Sequence, residues 1–184
     1  MKKSFPVRIS FCTAVIVLFA GLLLSGSCRR DARVSRSTGH LRMTDDTLVR
    51  YNQERMKAED REIMDFLARY GWKVQVSPTG LRSMIYRHGN GKKVKKGDRV
   101  VIGYEIRLIS GDLVYSSERD GEREIKAGYS ETERGLDEGI LMMRVGDRAK
   151  FIVPSHLAFG LLGDQKKIPP GATLLYDVEL KELK

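Results

Sequence analysis

The side chains that most often carry out chemistry are few and scattered in this sequence of 184 residues. The three histidines, His40, His88 and His156, lie far apart with no paired ligand spacing, so we predict neither a metal site nor a cofactor. The segment Gly89-Asn90-Gly91-Lys92 lacks the full spacing of a phosphate-binding P-loop, and we predict a hairpin turn between two strands there. No Gly-x-Ser-x-Gly motif is present, and a neighbouring serine and histidine at 155–156 do not indicate a catalytic triad.

Cys28 has a predicted chemical role because it follows a segment that is typical of a secretory signal. Residues 1–27 begin with Met-Lys-Lys, continue through an apolar run at 11–24 and end in small residues. The run is shorter than the roughly 20 residues of a transmembrane helix, which favours a signal peptide; an uncleaved N-terminal anchor is the alternative. Residues 24–28 resemble a bacterial lipobox, with Ser25 where leucine is preferred. The resemblance implies that Cys28 is lipidated and anchors the protein in a membrane.

The net charge of +9 is concentrated near the N-terminus. Residues 1–27 carry +3 and residues 28–42 carry +4, so only +2 remains for residues 43–184. A nearly neutral folded part argues against a nucleic-acid-binding domain. Residues 28–43 are polar and rich in arginine, and we predict a flexible lipidated tether. Arg29, rather than an aspartate, follows Cys28, which favours export to the outer membrane, facing the periplasm.

Residues 44–71 are predicted to form one stalk helix between the tether and a C-terminal domain. Thr44 and the aspartates after it are typical of a helix start, and Gly71 is typical of a helix end. Five residues of the C-terminal half lie at helical spacing and form a mainly apolar stripe: Glu59, Ile63, Phe66, Leu67 and Tyr70. We predict that the last two turns pack on the domain; the alternative is an arm that forms a homodimer.

Beyond Lys73 the apolar period changes to that of strands. Residues 100–108 and 174–181 alternate between apolar and mostly polar positions, which predicts antiparallel strands with one solvent-exposed face. Shorter strands are predicted at 81–87, 113–116, 122–127 and 148–153, and a helix at 133–143. For residues 72–184 this predicts an α+β domain, in which a curled antiparallel sheet of about five or six strands wraps on one short helix.

Five stretches carry a more specific signal, and they occur in a consistent order and spacing. They are GDLVYSS at 111–117, GLDEGI at 135–140, VGDRAK at 145–150, VPSHLAFG at 153–160 and IPPGATLLYDVEL at 168–180. Together they resemble the FKBP-type peptidyl-prolyl cis-trans isomerases over roughly residues 80–184. With the lipobox and the helix that ends at Tyr70-Gly71-Trp72, the whole chain is similar to lipid-anchored FKBPs of the gliding-motility type.

The resemblance implies a pocket for proline that needs no nucleophile. Tyr104, Phe159 and Tyr176 would line it as the catalytic residues. Substrate-binding roles are implied for six further residues: Val114, Tyr115, Ile125, Glu133, Leu136 and Ile168. Of these, Glu133 would hold the substrate carbonyl through its backbone N–H. Ordinary core packing is the alternative for Tyr104 and Tyr176, and a rigid loop before the last strand is the alternative for residues 168–170.

The chain departs from the family pattern around this pocket. The family phenylalanine and aspartate are Val114 and Tyr115, and the tryptophan at the pocket floor is Leu136. A frequent pocket tyrosine is Phe159, and the Val-Ile pair that opens the helix is Thr132-Glu133. A phenylalanine of the neighbouring strand falls at Arg123 or Ile125, depending on the alignment.

Two functions follow from the resemblance. The first is a prolyl isomerase, weak because of these departures, that helps exported proline-containing polypeptides to fold. The second is a non-catalytic FKBP-fold module, or chaperone, that holds a membrane-associated partner. In both, the chain contacts the membrane through the lipid on Cys28 and binds no nucleic acid.

Overall fold

The computed structural model describes residues 45–129 and 133–184. Within them, seven strands form one antiparallel sheet: β1 (Gln75–Val76), β2 (Arg82–Arg87), β3 (Arg99–Leu108), β4 (Leu113–Ser116), β5 (Arg123–Lys126), β6 (Arg148–Val153) and β7 (Leu174–Leu183). The α-helices of these residues are α1 (Asp45–Tyr70), α2 (Ser117–Asp120) and α3 (Arg134–Met142). Short 3-10 helices follow β6 at Ser155–Leu157 and Gly160–Leu162.

The sheet has the strand order β1-β2-β6-β7-β3-β4. Strand β5 pairs with the same edge of β3 as β4 does, but at the opposite end of that strand. The predicted α+β class, with an antiparallel sheet against a short helix, is confirmed. The sheet has one strand more than the upper prediction because β1 contains only two residues and leaves no alternation to detect.

The inward faces of β3 and β7 form the centre of the core, as their alternation predicts. Val100, Ile102 and Ile106 of β3 are at most 2% exposed, and Val178 and Leu180 of β7 are fully buried. Helix α3 packs on this face, and Gly139 permits the approach, since a Cβ there would lie 2.7 Å from the ring of Phe151. The concave face of the sheet therefore surrounds α3.

The opposite face of the sheet is not uniformly exposed, which corrects one prediction. The predicted alternation places Leu175 on the solvent-exposed face of β7, but it is only 8% exposed, and Ile152 of β6 is fully buried. Both pack with Ile63 and Phe66 of α1 in a second, smaller core. The alternation of β7 was correctly predicted, but alternation does not show that a helix covers the second face.

Helix α1 is attached to the sheet by polar contacts as well. The carboxylate of Glu59 accepts hydrogen bonds from the backbone N–H of Ser155 at 2.6 Å, from its hydroxyl at 3.0 Å, and from the hydroxyl of Thr173 at 2.6 Å. Asp60 pairs with Arg82 of β2. These contacts extend beyond the predicted last two turns to Glu59, about one turn earlier, and the guanidinium of Arg55 lies against Gly171, while Tyr70 remains 57% exposed.

The predicted hairpin at residues 89–92 is wrong. Strand β2 pairs with β6 and not with β3, so the segment connects two strands that are not neighbours. It packs against the turn before β6, where Gly91 donates its N–H to the carbonyl of Val145 at 3.1 Å. A Cβ at Gly89 would overlap that same carbonyl oxygen, so glycine is needed for close backbone approach rather than for a hairpin.

The predicted signal peptide and tether, with Cys28, lie outside the described residues. Among the helices of residues 45–129 and 133–184, none is long and apolar enough to span a membrane. The same residues contain no group of three or more His, Cys, Asp or Glu side chains arranged to hold a metal ion.

Candidate functional site

The predicted pocket residues come together where α3 begins against the concave face of the sheet. Tyr104 projects from β3 and Tyr176 from β7, Leu136 lies in the first turn of α3, and Ile168 lies in the loop before β7. All four are buried, with exposed fractions between 2% and 7%. Tyr104 and Tyr176 lie 72 residues apart in the chain, and the fold places all four residues in one apolar cluster.

The remaining predicted residues surround this cluster. Val114 of β4 is buried, and Tyr115, Ile125 and Phe159 are partly buried and pack against the same core. Arg123 and Ile125 both lie on β5, two residues apart, so they share one face of the strand. The guanidinium carbon of Arg123 lies 5.5 Å from the centre of the Tyr104 ring. Arg123 therefore stands over the predicted catalytic tyrosine.

Glu133 contributes a side chain to the site that sequence analysis did not anticipate. The prediction concerned its backbone N–H, but its carboxylate is also turned inward, and only 3% of the side chain is exposed. It accepts a hydrogen bond from the hydroxyl of Tyr176 at 2.6 Å and one from Arg123 at 2.6 Å. An Arg123–Glu133 ion pair thus lies against both predicted catalytic tyrosines.

The electrostatics of the cluster follow from this ion pair. Burial, together with the nearby charge of Glu133, raises the pKa of Tyr176 well above its ordinary value, so its hydroxyl remains a donor. Burial also raises the pKa of Tyr104. Burial alone would lower the pKa of Arg123, but its hydrogen bond to Glu133 and their opposite charges raise it overall. The arrangement places an ion pair against the aromatic side chains of the site.

A second polar contact joins β4 to the loop before β7. The hydroxyl of Tyr115 donates to Asp164 in the loop between the Gly160–Leu162 turn and β7. This hydrogen bond, with burial, raises the pKa of Tyr115 to about 12. The ammonium of Lys167 lies 4.7 Å from the centre of the Tyr115 ring and donates to the carbonyl of Val114 at 3.2 Å. The loop that carries Ile168 is therefore attached to β4.

Asp164 also organises its own loop. One carboxylate oxygen accepts the backbone N–H groups of Lys166, Lys167 and Ile168 at 2.9, 2.9 and 2.7 Å. Burial would raise the pKa of Asp164, but these hydrogen bonds and the one from Tyr115 lower it overall. Sequence analysis missed Asp164 because its partner, Tyr115, lies 49 residues away, and no local pattern links the two.

Comparison with known proteins identifies the family of this domain. Residues 90–181, half of the chain, match the family model described as FKBP-type peptidyl-prolyl cis-trans isomerase. The chain belongs to this family. FK506-binding protein 2 of Dictyostelium discoideum is 40% identical over 89 residues, which cover 48% of this chain and 67% of that protein.

Other relatives differ more in length. The probable FKBP-type isomerase FkpA of Neisseria meningitidis is 36% identical over 110 residues, or 60% of this chain, but the match spans only 40% of FkpA. The crystal structure of AtFKBP13 superposes with a TM-score of 0.57 at 29% identity, covering 61% of this chain and all of that one. The shared part is thus the isomerase-type domain.

Within this FKBP-type domain, the roles of the pocket residues stay predictions, but their surroundings are defined. The carboxylate that the family pattern places at position 115 is absent, and a carboxylate reaches Tyr115 from Asp164 instead. The two inward tyrosines remain, with Leu136 and Ile168 beside them. Arg123 and Glu133 add a charged pair to this apolar set.

Proposed function

We propose that the protein is a weak peptidyl-prolyl cis-trans isomerase for exported, proline-containing polypeptides. The observation that carries this proposal is the convergence of Tyr104 and Tyr176 with Leu136 and Ile168, in a chain of the FKBP-type family. Aromatic and aliphatic side chains of this kind are suited to contact a proline ring.

Catalysis requires only that the twisted amide be bound better than the planar one. The prolyl bond resists rotation because its amide resonance must be broken, with a barrier of about 18–20 kcal/mol. Apolar walls exclude water and favour the less polar twisted state. The backbone N–H of Glu133 would hold the substrate carbonyl while Phe159, partly exposed beside the cluster, would cover the ring.

Activity is expected to be weak because the site must open before a proline can enter. Leu136 and Ile168 are 2% and 3% exposed, and the Arg123–Glu133 pair lies over the tyrosines. The substitutions at Val114, Tyr115 and Leu136 motivate a second candidate function, a non-catalytic module that holds a membrane-associated partner. That candidate predicts binding of proline-containing segments with no acceleration of their isomerisation.

Location and assembly belong to this proposal too. We place the protein at the cell envelope, exported and anchored through a lipid on Cys28, in the outer membrane and facing the periplasm. The N-terminal half of α1 is a candidate homodimer surface, since Val49 and Met56, seven residues apart on one face of the helix, are 54% and 55% exposed there. Size determination of the purified chain at several concentrations tests the dimer.

The decisive experiment measures the cis-to-trans rate of short Xaa-Pro peptides by a direct, protease-free spectroscopic method. The full-length protein in detergent is compared with a Phe159→Ala variant. Acceleration that the variant loses supports an isomerase that acts through this pocket. A rate equal to that in buffer, from protein shown to be folded, rejects catalysis and leaves the binding module, which the same peptides test by fluorescence or NMR titration.

A further inference from the structure

The outer edge of β2 is only partly covered by a neighbouring strand. Strand β1 has two residues, which pair with Arg82 and Ser83 at the start of β2. Strand β2 continues to Arg87, and in the part of the chain that the structure describes no other strand lies on that side of it. Such an edge presents backbone groups with which another extended segment can pair. Residues 84–87 therefore form an open edge of the sheet.

The backbone hydrogen bonds show which groups are directed toward this edge. Ser77 donates its N–H to the carbonyl of Leu81 at 2.9 Å, and Gln75 lies opposite Ser83. In an antiparallel ladder, alternate residues of a strand direct their N–H and C=O groups to the same side. Ile85 follows Ser83 in this series, and the register with β6 shifts only beyond Ile85. Its N–H and C=O are therefore directed toward the open edge, one step past the end of β1.

A groove with a volume of about 530 Å³ adjoins the open edge. Its apolar lining comes from β2 and from the C-terminal end of α3: Met84, Ile85, Leu141 and Met142. The volume is that of an ordinary ligand-binding cleft, and methionine side chains adapt readily to different partners. None of the lining residues belongs to the predicted proline pocket. The edge and the groove together form a separate surface that is suited to an extended polypeptide.

The charges beside the groove favour an acidic partner. Lys73 and Lys93 line the groove and are exposed, and within residues 45–129 and 133–184 neither forms an ion pair. Glu138 also lines the groove, but its carboxylate accepts a hydrogen bond from the hydroxyl of Thr79 at 2.7 Å. Symmetric pairing with a second copy would bring the same lysines together, and the arginine-rich residues 28–43 would add further positive charge.

We propose that the open edge of β2 binds an extended, acidic segment of a partner polypeptide by strand addition. The N–H and C=O of Ile85 would pair with the backbone of that segment. Its apolar side chains would contact Leu141 and Met142, and its carboxylates would approach Lys73 and Lys93. This surface goes beyond the proposed isomerase activity, because it uses no residue of the predicted pocket and requires no proline in the partner.

The test measures binding of fluorescently labelled eight-residue peptides to the full-length protein in detergent, by fluorescence anisotropy. One peptide alternates valine and glutamate, and a second carries lysine in place of each glutamate. We expect the glutamate peptide to bind at least about tenfold more tightly than the lysine peptide.

Backbone pairing is tested with two N-methylated forms of the glutamate peptide, one methylated at its odd residues and the other at its even residues. A strand directs alternate N–H groups to opposite edges, so only the form that has lost the N–H groups facing β2 should fail to bind. Loss of binding by one form alone is the result that strand addition predicts.

Charge-reversal variants locate the surface. The double variant Lys73→Glu/Lys93→Glu should bind the glutamate peptide at least about tenfold more weakly than the wild type and the lysine peptide more tightly. The matched control is Lys95→Glu/Lys166→Glu, which changes the net charge equally at two exposed lysines outside the groove. The control should bind the glutamate peptide as the wild type does, within about twofold.

Several results would overturn the proposal, and none of them depends on isomerase activity. They are absence of binding at about 1 mM peptide by protein shown to be folded, binding that both N-methylated forms retain, and equal losses in the two double variants. Self-association of the wild type that the glutamate peptide reverses would show that a second copy covers the edge, and would overturn the choice of an acidic partner. A lack of prolyl isomerisation would leave the strand-addition surface unaffected.

Discussion

Replacement of Glu59 by alanine tests whether α1 is an integral part of the FKBP-type domain. The carboxylate accepts three hydrogen bonds from Ser155 and Thr173, which are 6% and 3% exposed. The variant leaves a buried backbone N–H and two buried hydroxyls without this acceptor. Hydrogen bonds to a charged group contribute about 1.5–3 kcal/mol each, but they are not additive when they share one acceptor.

We therefore expect Glu59→Ala to lower the free energy of unfolding by about 2–4 kcal/mol. For a folded part of this size, that corresponds to a decrease in Tm of roughly 6–16 °C. Glu59→Gln keeps the oxygen that accepts from Ser155 and Thr173 and should lose about 1 kcal/mol. Both losses are measured by guanidinium unfolding of the full-length chain, followed by circular dichroism.

Trp72 provides a second, local signal for the same experiment. It is the single tryptophan of the chain, and its ring lies 5.1 Å from that of Phe66 on α1. Its fluorescence therefore reports whether the C-terminal end of α1 is docked. Glu54→Ala is the control, because Glu54 lies on the same helix in an exposed pair with Lys57 and should change stability by less than about 0.5 kcal/mol. Equal stabilities of Glu59→Ala and Glu54→Ala would refute the reasoning.

Three further predictions concern the site and its supports. Because the pKa of Asp164 is lowered in the folded state, its contribution to stability is present above the unfolded value of about 3.9 and is lost as the pH falls through the folded value. The free energy of unfolding of Asp164→Asn should therefore be lower than that of the wild type at pH 7, and the difference should be much smaller near pH 2. Denaturant titrations at both pH values measure this, and a difference that does not depend on pH would contradict it. Gly89→Ala should lower stability by about 2–4 kcal/mol, because its Cβ overlaps the carbonyl of Val145. Gly97→Ala meets no other atom but places a side chain at a φ of +97°, so it should lose only that backbone cost, which is smaller; equal losses in thermal unfolding would argue against the close approach at Gly89. The macrolide FK506 should bind with a Kd above about 1 μM by fluorescence titration, since Leu136 stands at the pocket floor and Arg123 covers Tyr104; nanomolar binding would show that the site opens readily.

Sequence patterns predicted most of the secondary structure for a physical reason. In β3 and β7 one face packs on the core, so the residues alternate, and that alternation can be read along the chain. The predicted hairpin at residues 89–92 was wrong because it depended on which strands pair, and no local pattern shows that. Gly89 and its neighbours are typical of a hairpin, but β2 pairs with β6, and the glycine is needed because another part of the backbone approaches it.

The candidate site also combines features that local sequence patterns predict with features that they do not. Tyr104 and Tyr176 lie on the inward faces that the alternation of β3 and β7 predicts, and both are buried, but their roles in a pocket stay predictions. The polar contacts could not be assigned, because Tyr115 and Asp164, or Arg123 and Glu133, become partners only when distant segments meet. A charged residue in a sequence looks the same whether it is solvated or buried in an ion pair.

The sequence by itself predicted the family and the inward faces of the long strands, since each depends on a local pattern. Only the tertiary structure decided that α1 covers Ile152 and Leu175, and that Glu133 lies buried between Arg123 and Tyr176. A residue becomes buried or paired only when folding brings distant segments together. Which residues become partners depends on the free energy of removing both from water and placing them in contact.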